Sequence, residues 1–212
     1  MPAVVLVIAG TVASLTAGYK AKPWPIRPAE AYAARLASEG VTIAVEPLHD
    51  DPLAAKVFDK NDIVTRCIMP LGIIVFNEND FPIVVEADSI ELIHQDERYR
   101  TLSPAETVHR LFPPTTKSLR SPLPIPSGGP DKQRADALED FDHKFLGAKL
   151  VPARGKASGF LFLKFTKTSE VMRLLKESRV YIPEVYREDT GKNLMFFEID
   201  LKPALESAGN AK

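Results

Sequence analysis

C-I-M-P-L-G-I-I-V-F-N, residues Cys67 to Asn77, is the apolar stretch that decides the fold. It leads into the polar turn N-E-N-D, which ends at Asp80, and a second apolar run then extends from Pro82 to Ala87. Two apolar runs around a short polar turn are typical of a β-hairpin. The sequence therefore predicts that the two runs pair as neighbouring antiparallel strands.

Both faces of the first run are apolar. Side chains alternate across a strand, so odd-numbered and even-numbered residues face opposite sides. The apolar residues are Cys67, Met69, Leu71, Ile73 and Val75 on the odd face, and Ile68, Ile74 and Phe76 on the even face. Burying each large side chain contributes roughly 1.5–3 kcal/mol. We therefore expect a central strand, with a second sheet over one face and a helix or long loop over the other.

Composition bounds the class of protein. The chain has 212 residues, of which 45% are hydrophobic and 26% charged, as in an ordinary soluble globular protein. Its net charge of -1 provides no basic field for nucleic acid, so no nucleic-acid partner is predicted. The 18 prolines and 11 glycines favour short strands and extended connections over a helical bundle. A single cysteine, Cys67, excludes an internal disulfide framework and any multi-cysteine metal site.

The N-terminal segment resembles an export signal. Residues Met1 to Gly18 carry no charged side chain, and the apolar sequence V-V-L-V-I-A is followed by small residues. We expect residues 1–18 to be a signal peptide or a membrane anchor, and to supply any contact with a membrane. The ending L-T-A-G resembles the box before the lipid-bearing cysteine of bacterial lipoproteins. Tyr19 occupies the position of that cysteine, which excludes lipidation there.

The charges around this segment conflict with its apolar character. No lysine or arginine precedes it, whereas Lys20, Lys22 and Arg27 follow. Export signals normally carry positive charge first, and charges placed afterwards favour a cytoplasmic domain. We expect a basic segment upstream of Met1 and cleavage near Gly18. An uncleaved anchor with the domain inside, or a strand of a cytosolic domain, are the alternatives.

The remaining chain is predicted to form a single domain. Residues 19–28 are expected to be a proline-rich linker, 29–206 a single β-sandwich domain with a mobile loop at 113–130, and 207–212 a disordered tail. Trp24, between prolines, is expected to pack its own segment onto the domain.

Several elements within the domain follow from local patterns. Helices are predicted for 29–38, where Pro28 and Gly40 supply the ends, and for 131–145. Ser103-Pro104-Ala105-Glu106 predicts a capped helix start. Residues 47–62 are expected to be irregular, and 179–187 and 193–201 to form the last hairpin.

Short antiparallel strands joined by turns predict a mainly β fold. We expect two sheets packed as a sandwich of about seven strands, with two or three short peripheral helices. The signal-like start, the run P-L-G-I-I-V-F-N with its polar turn, and the closing F-F-E-I resemble uncharacterised bacterial exported proteins and lipoproteins with an immunoglobulin-like domain. The resemblance implies an immunoglobulin-like sandwich with a periplasmic or otherwise exported address, and no activity.

No residue pattern points to chemistry. Cys67 is interpreted as a core residue, and the four histidines as solvated surface residues. The acidic clusters at 49–51, 59–62 and 78–80 suit turns better than a calcium site. Glycine-rich phosphate loops, dinucleotide fingerprints and G-x-S-x-G elbows are absent from the sequence. The sequence accordingly predicts no catalytic residue, no cofactor site and no metal ligand.

Two hypotheses for function remain. The first is a non-enzymatic exported β-sandwich that binds or supports another macromolecule of the cell envelope, such as a protein. The alternative is an enzyme or metal-binding protein whose site is built from loops at one end of the sandwich. Fold class alone does not separate them, because a sandwich hosts many functions.

Overall fold

The computed structural model describes residues 18–99, 101–113 and 130–209. Within these ranges the chain forms eleven β-strands and five α-helices. The strands are β1 (Ala34–Ser38), β2 (Val41–Pro47), β3 (Ile68–Asn77), β4 (Ile83–Glu86), β5 (Glu91–His94), β6 (Glu97–Tyr99), β7 (Thr101–Leu102), β8 (Ala148–Val151), β9 (Lys156–Lys164), β10 (Ser178–Arg187) and β11 (Asn193–Asp200). The α-helices are α1 (Asp51–Val57), α2 (Pro104–Leu111), α3 (Pro130–Lys144), α4 (Val171–Lys176) and α5 (Lys202–Gly209). Short 3-10 turns occupy Ala29–Ala31, Ala87–Ser89 and Thr168–Glu170.

The first sheet is built around the apolar stretch quoted at the outset. Its strand order is β1-β2-β3-β9-β7, and every pair is antiparallel. At the middle of β3, Ile73 lies opposite Val45 of β2 on one side and Gly159 of β9 on the other. The prediction that this stretch forms a central strand is confirmed.

The second sheet is built around β10. Strand β11 pairs along one side of it, while β5 and β4 pair with successive halves of the other side. The 3-10 turn at Ala87–Ser89 separates β4 from β5, so the two act as halves of one interrupted strand. Beyond them, β8 pairs with β4 and β6 pairs with β5.

The two faces of β3 have different coverings. The odd face and the inward side chains of the second sheet belong to one continuous buried cluster, which includes Ile73 and Val180. The even face lies under aromatic side chains from the N-terminal segment and two helices. Trp24 and Phe58 contact Phe160 with ring centroids 4.1 and 5.2 Å apart. A sheet over one face and helices with a packed segment over the other match the expectation from the sequence.

The predicted hairpin between Cys67–Asn77 and Pro82–Ala87 is wrong. Strands β3 and β4 belong to different sheets, and the polar turn between them is a corner. The Asn77 side chain holds this corner, because its amide nitrogen donates to the carbonyl oxygens of Phe81 at 2.8 Å and Pro152 at 3.0 Å. Its Oδ1 accepts from the backbone N–H of Asn79 at 3.0 Å. Tertiary hydrogen bonds therefore redirect a turn that locally looks like a hairpin.

The predicted helix over 29–38 is also wrong. After the 3-10 turn, β1 pairs with β2 through a two-residue connection, Glu39–Gly40, with φ angles of 49° and 71°. Positive φ at both residues is the requirement of a type I′ hairpin turn. A Cβ on Gly40 would also lie 2.7 Å from Oδ1 of Asn79. Pairing with β2 outweighs the helix propensity of this alanine-rich stretch.

The segment 47–62, predicted to be irregular, contains α1. Asp50 caps the helix by accepting from the Leu53 N–H at 2.8 Å, and Pro52 lies in its first turn. The capped helix at Ser103 is confirmed, with both hydrogen bonds of the capping box present. Helix α3 and the β10–β11 hairpin also form where they were predicted.

The predicted two-sheet antiparallel sandwich is confirmed. Its described residues contain more strands and helices than the expected seven strands and two or three helices. Immunoglobulin domains separate their strands as ABED and CFG, whereas here β1, β2 and β3 form a meander in one sheet. The immunoglobulin-like connectivity is therefore not confirmed.

Some predicted boundaries lie outside the described residues. These are positions 1–17 of the expected signal segment and 114–129 of the expected loop at 113–130. The expected tail at 207–212 overlaps α5, which continues to Gly209. No described helix has both the length and the apolar character needed to cross a membrane.

The segment 19–28, expected to be a linker, packs onto the domain as an arm. The Tyr19 hydroxyl donates to Asp140 at 2.6 Å, and Lys22 donates to the Ala55 carbonyl at 2.7 Å. Trp24 packs over Gly72, as expected for its segment, and donates from Nε1 to Glu46 at 3.1 Å. A proline-rich stretch becomes ordered here because three of its side chains find partners on the domain.

Gly72→Ala is expected to destabilise the protein by about 2 kcal/mol through overpacking against Trp24. A Cβ at Gly72 would lie 2.6 Å from Cζ2 of Trp24. In a Trp24→Ala background the same change is expected to cost much less, since the ring is gone. Urea unfolding of the four proteins in this double-mutant cycle measures the coupling. Additive effects would contradict the placement of Trp24 over Gly72.

Candidate functional site on the outer face of the second sheet

The outward positions of the second sheet form a surface that we call the outer face. Inward neighbours on β10 and β11, such as Val180, Ile182 and Phe197, are fully buried, so the alternate positions point away from the core. The apolar and aromatic residues at those positions are Val84, Ile93, Leu150, Tyr181, Tyr186 and Phe196.

Two of these side chains are unusually exposed. Phe196 is 58% exposed and Leu150 is 57% exposed. The ring of Phe196 lies 6.0 Å from that of Tyr181, while Leu150, Val84 and Tyr186 stand opposite one another across three strands. The outer face thus presents an aromatic pair and an apolar row. Grouped exposed apolar side chains commonly mark an interaction site.

The opposite outer surface of the sandwich looks different. On the first sheet, Trp24 lies over Phe160, and Phe141 packs on Phe162 with centroids 5.2 Å apart. Ile74 is completely buried there. Only the second sheet therefore keeps large apolar side chains more than half exposed on its outer surface among the described residues.

Acidic residues predominate among the charges of the outer face. The charged residues at its outward positions are Glu86, Glu91, Arg98, Arg179, Glu184, Glu198 and Asp200. Both arginines are paired, Arg98 with Glu91 and Arg179 with Glu198.

Three carboxylates of this face, those of Glu86, Glu184 and Asp200, form no salt bridge with any described residue. The Tyr186 hydroxyl donates to Glu86 at 2.8 Å, and this hydrogen bond raises the pKa of Tyr186. The outer face therefore combines exposed apolar side chains with an excess of negative charge.

A buried polar cluster joins the arm to α3. Asp140, 6% exposed, accepts from Tyr19 at 2.6 Å and from Lys144 Nζ at 2.7 Å. Burial, reinforced by Asp140, raises the pKa of Tyr19, whereas burial lowers the pKa of Lys144 against the opposing effect of Asp140. Lys144 also donates to the Val57 carbonyl at 2.9 Å. Tyr19, Asp140 and Lys144 satisfy one another's hydrogen-bonding groups. We therefore interpret this cluster as fixing the segment 19–28 to α3, and not as a reactive site.

The surface interpretation of the histidines is wrong for His94. His94 is 6% exposed, and its Nδ1 lies 3.2 Å from Oγ of Ser178. This pair does not resemble an activated nucleophile, since Ser178 is 1% exposed and its hydroxyl donates to the Leu174 carbonyl. The other three histidines are exposed or partly exposed.

The core interpretation of Cys67 needs correction. Cys67 precedes β3, with a φ of 60°, so it does not share the face of Met69 and Ile73. It is partly exposed, and its sulfur lies 3.5 Å from Oγ1 of Thr168. The Cys67 side chain still packs against the buried core.

The acidic side chains of these clusters form hydrogen bonds and an ion pair that stabilise the local structure. Asp50 caps α1, Asp51 accepts from the Val64 N–H at 2.7 Å, and Asp80 pairs with Arg154 at 2.7 Å. In the part of the chain that the structure describes, no three His, Cys, Asp or Glu side chains lie close enough together to hold a metal ion.

The sequence contains one weak indication of the outer face. In the doublet Phe196-Phe197, adjacent aromatic residues on one strand must face opposite sides, and Phe197 is the buried one. The pattern therefore indicated a second apolar face on β11. It did not indicate that no described element covers this face.

Comparison with known proteins assigns no family. No protein-family model matches the chain, and no curated protein matches it. Among solved structures, a putative lipoprotein (ycdA) from Bacillus subtilis is 12% identical with a TM-score of 0.38, over 82% of this chain and 41% of that one. The yjhA protein from Bacillus subtilis is 10% identical with a TM-score of 0.38, over 71% and 79% of the two chains. A functionally unknown protein from Listeria monocytogenes is 15% identical with a TM-score of 0.35, over 70% and 68%. At these values the similarities carry no conclusion about activity.

Proposed function

We propose that this protein is a non-enzymatic, exported β-sandwich that binds another macromolecule of the cell envelope, a protein, through the outer face of its second sheet. The observation that carries the proposal is the outer face itself, where Phe196 and Leu150 are 58% and 57% exposed. An apolar centre with a polar rim is the usual anatomy of a protein–protein interface.

The exposed aromatic residues are suited to such contacts. Tyrosine and phenylalanine supply large contact areas with few rotatable bonds, and aromatic residues dominate interface energetics. Tyr181 and Phe196 already contact each other on the surface, so little side-chain conformational freedom is lost on binding. Two ion pairs, Arg98–Glu91 and Arg179–Glu198, lie beside them and supply a polar rim.

The exported address is part of the proposal and rests on the sequence. Residues 1–18 contain an apolar run without charged side chains that ends in small residues, as the apolar part of an export signal does. The periplasmic location and the kinship with immunoglobulin-like exported proteins belong to the same proposal. The alternative, an enzyme or metal protein with a site in the loops, would be favoured by stoichiometric metal in the purified protein.

A photo-crosslinking amino acid at position 196 tests the proposal in the native host. We expect it to capture one discrete protein in the envelope fraction, because Phe196 lies at the proposed interface. The matched control is position 138, where Leu138 is 39% exposed on α3, the helix that packs Phe141 onto Phe162 of the first sheet. Equal capture from both positions, or from neither, would contradict the binding surface. Recovery of the protein in the cytosol alone would contradict export.

A further inference from the structure

We infer that the partner presents a cationic polypeptide segment to the outer face, with lysine or arginine side chains interspersed among aliphatic or aromatic ones. This inference rests on the proposed function and adds the chemistry of the partner. It follows from the way in which the apolar and acidic residues of the outer face are arranged.

The apolar residues of the outer face favour contact with amino-acid side chains of the partner. Leu150, Val84 and Tyr186 form a row across three strands. Phe196 and Tyr181 form an aromatic pair beside a β-bulge, which interrupts β10 between Ile182 and Val185. A row that is partly aliphatic packs well against aliphatic or aromatic side chains. A neutral glycan would use aromatic faces and gain little from a leucine and a valine.

The carboxylates of the outer face favour a positively charged partner. Glu86 lies diagonally beside the apolar row, Glu184 lies in the bulge, and Asp200 lies at the far end of β11. None of the three forms a salt bridge with a described residue. Lysine and arginine can place their alkyl stems on apolar surface while their charged ends reach nearby carboxylates. Arginine can also stack on the partly exposed tyrosine rings.

The same acidic excess argues against other occupants. A second copy of this chain would bring an identical acidic face, and like charges across an interface are unfavourable. Anionic lipid headgroups attract basic rather than acidic surfaces. Nucleic acids recruit proteins through lysine and arginine at phosphates. A cationic polypeptide is the partner that uses both properties of the outer face.

The probes are three labelled synthetic peptides of equal length, in which Lys alternates with Leu, Glu with Leu, and Lys with Ser. Fluorescence anisotropy with the purified protein is expected to show binding of the Lys–Leu peptide only, with weaker binding at high salt. Phe196→Ser is expected to weaken that binding by about tenfold, as for an aromatic contact that is buried on binding. The variant Glu86→Gln/Glu184→Gln/Asp200→Asn is expected to weaken it by roughly twofold to fivefold per carboxylate.

A matched charge control is Glu30→Gln/Glu139→Gln/Asp142→Asn, in which three exposed carboxylates elsewhere are neutralised. This variant changes the net charge equally and is expected to retain binding. Equal binding of the Glu–Leu or Lys–Ser peptide, or equal losses in the two triple variants, would overturn the inference. So would a dimer in sedimentation, or association with cell-wall glycan, that Phe196→Ser abolishes. A discrete crosslink from position 196 without Lys–Leu binding overturns the partner's chemistry but leaves the proposed function standing.

Discussion

Ile73→Asp is expected to unfold the protein. Ile73 is 0% exposed at the middle of β3, between Val45 and Gly159, on the face buried against the second sheet. The substitution removes a fully buried side chain and places a carboxylate where neither water nor a cation can reach it. Such a change costs on the order of 5 kcal/mol, comparable with the whole stability of a typical domain. Circular dichroism and thermal unfolding measure the loss.

Phe196→Asp is the matched control for that experiment. It places the same side chain in a strand of the same sandwich, but at a residue that is 58% exposed. We expect it to change the free energy of unfolding by about 1 kcal/mol or less. An Ile73→Asp protein that melts at the wild-type temperature would contradict the central position of β3.

Gly159→Ala is expected to destabilise the protein by about 3 kcal/mol, although it adds only a methyl group. Its Cβ would lie 2.4 Å from Cα and 2.7 Å from the backbone nitrogen of Leu146. The chain leaves α3 at this point and crosses the edge of β9, where the Leu146 N–H donates to the Phe160 carbonyl at 3.0 Å. Because the obstacle is backbone, relief requires the crossing segment to move. The shift in the urea midpoint reports the cost.

Gly191→Ala separates this steric effect from the general cost of replacing glycine. Gly191 has a φ of 63°, and a Cβ there would meet nothing within 4 Å. Only the strain of the left-handed backbone is expected, about 1–2 kcal/mol. If Gly159→Ala cost no more than Gly191→Ala, the close approach of Leu146 to β9 would be wrong.

The centre of the fold was predictable because its cause is local. A run with apolar residues on both faces must be buried on both faces, and β3 is. The pairing partner was not predictable, because the carbonyl groups of Phe81 and Pro152 that hold Asn77 come together only in the folded chain. The polar turn after β3 is compatible with a hairpin or with a corner, and those distant groups select the corner.

The structure of the N-terminal third also depends on contacts between distant residues, which the local sequence does not reveal. Residues 34–38 contain alanine, arginine and leucine, which favour helices, but pairing with β2 makes them a strand. The proline-rich segment 19–28 has no strong local preference, and buried Asp140 orders its start through Tyr19. His94 likewise became buried because β5 pairs with β10 beside Ser178.

The candidate site was predictable only in part. The doublet Phe196-Phe197 indicated that β11 carries an aromatic residue on each face. The exposure of Phe196 depends on which sheet the arm and helices cover, and this depends on long-range packing such as Trp24 on Phe160. The acidic character of the outer face likewise emerges only when β4, β5, β10 and β11 lie side by side.

The pairing of β3 with β9 has a consequence for biosynthesis. Strand β3 ends at Asn77, whereas β9 spans Lys156–Lys164. During synthesis, one edge of β3 therefore stays unpaired until the intervening chain and β9 have left the ribosome. At roughly 5–20 residues per second, that delay lasts several seconds. An open strand edge is prone to pair with other chains. The first sheet can therefore be completed only after Lys164 has left the ribosome, because β9 supplies the second partner of β3.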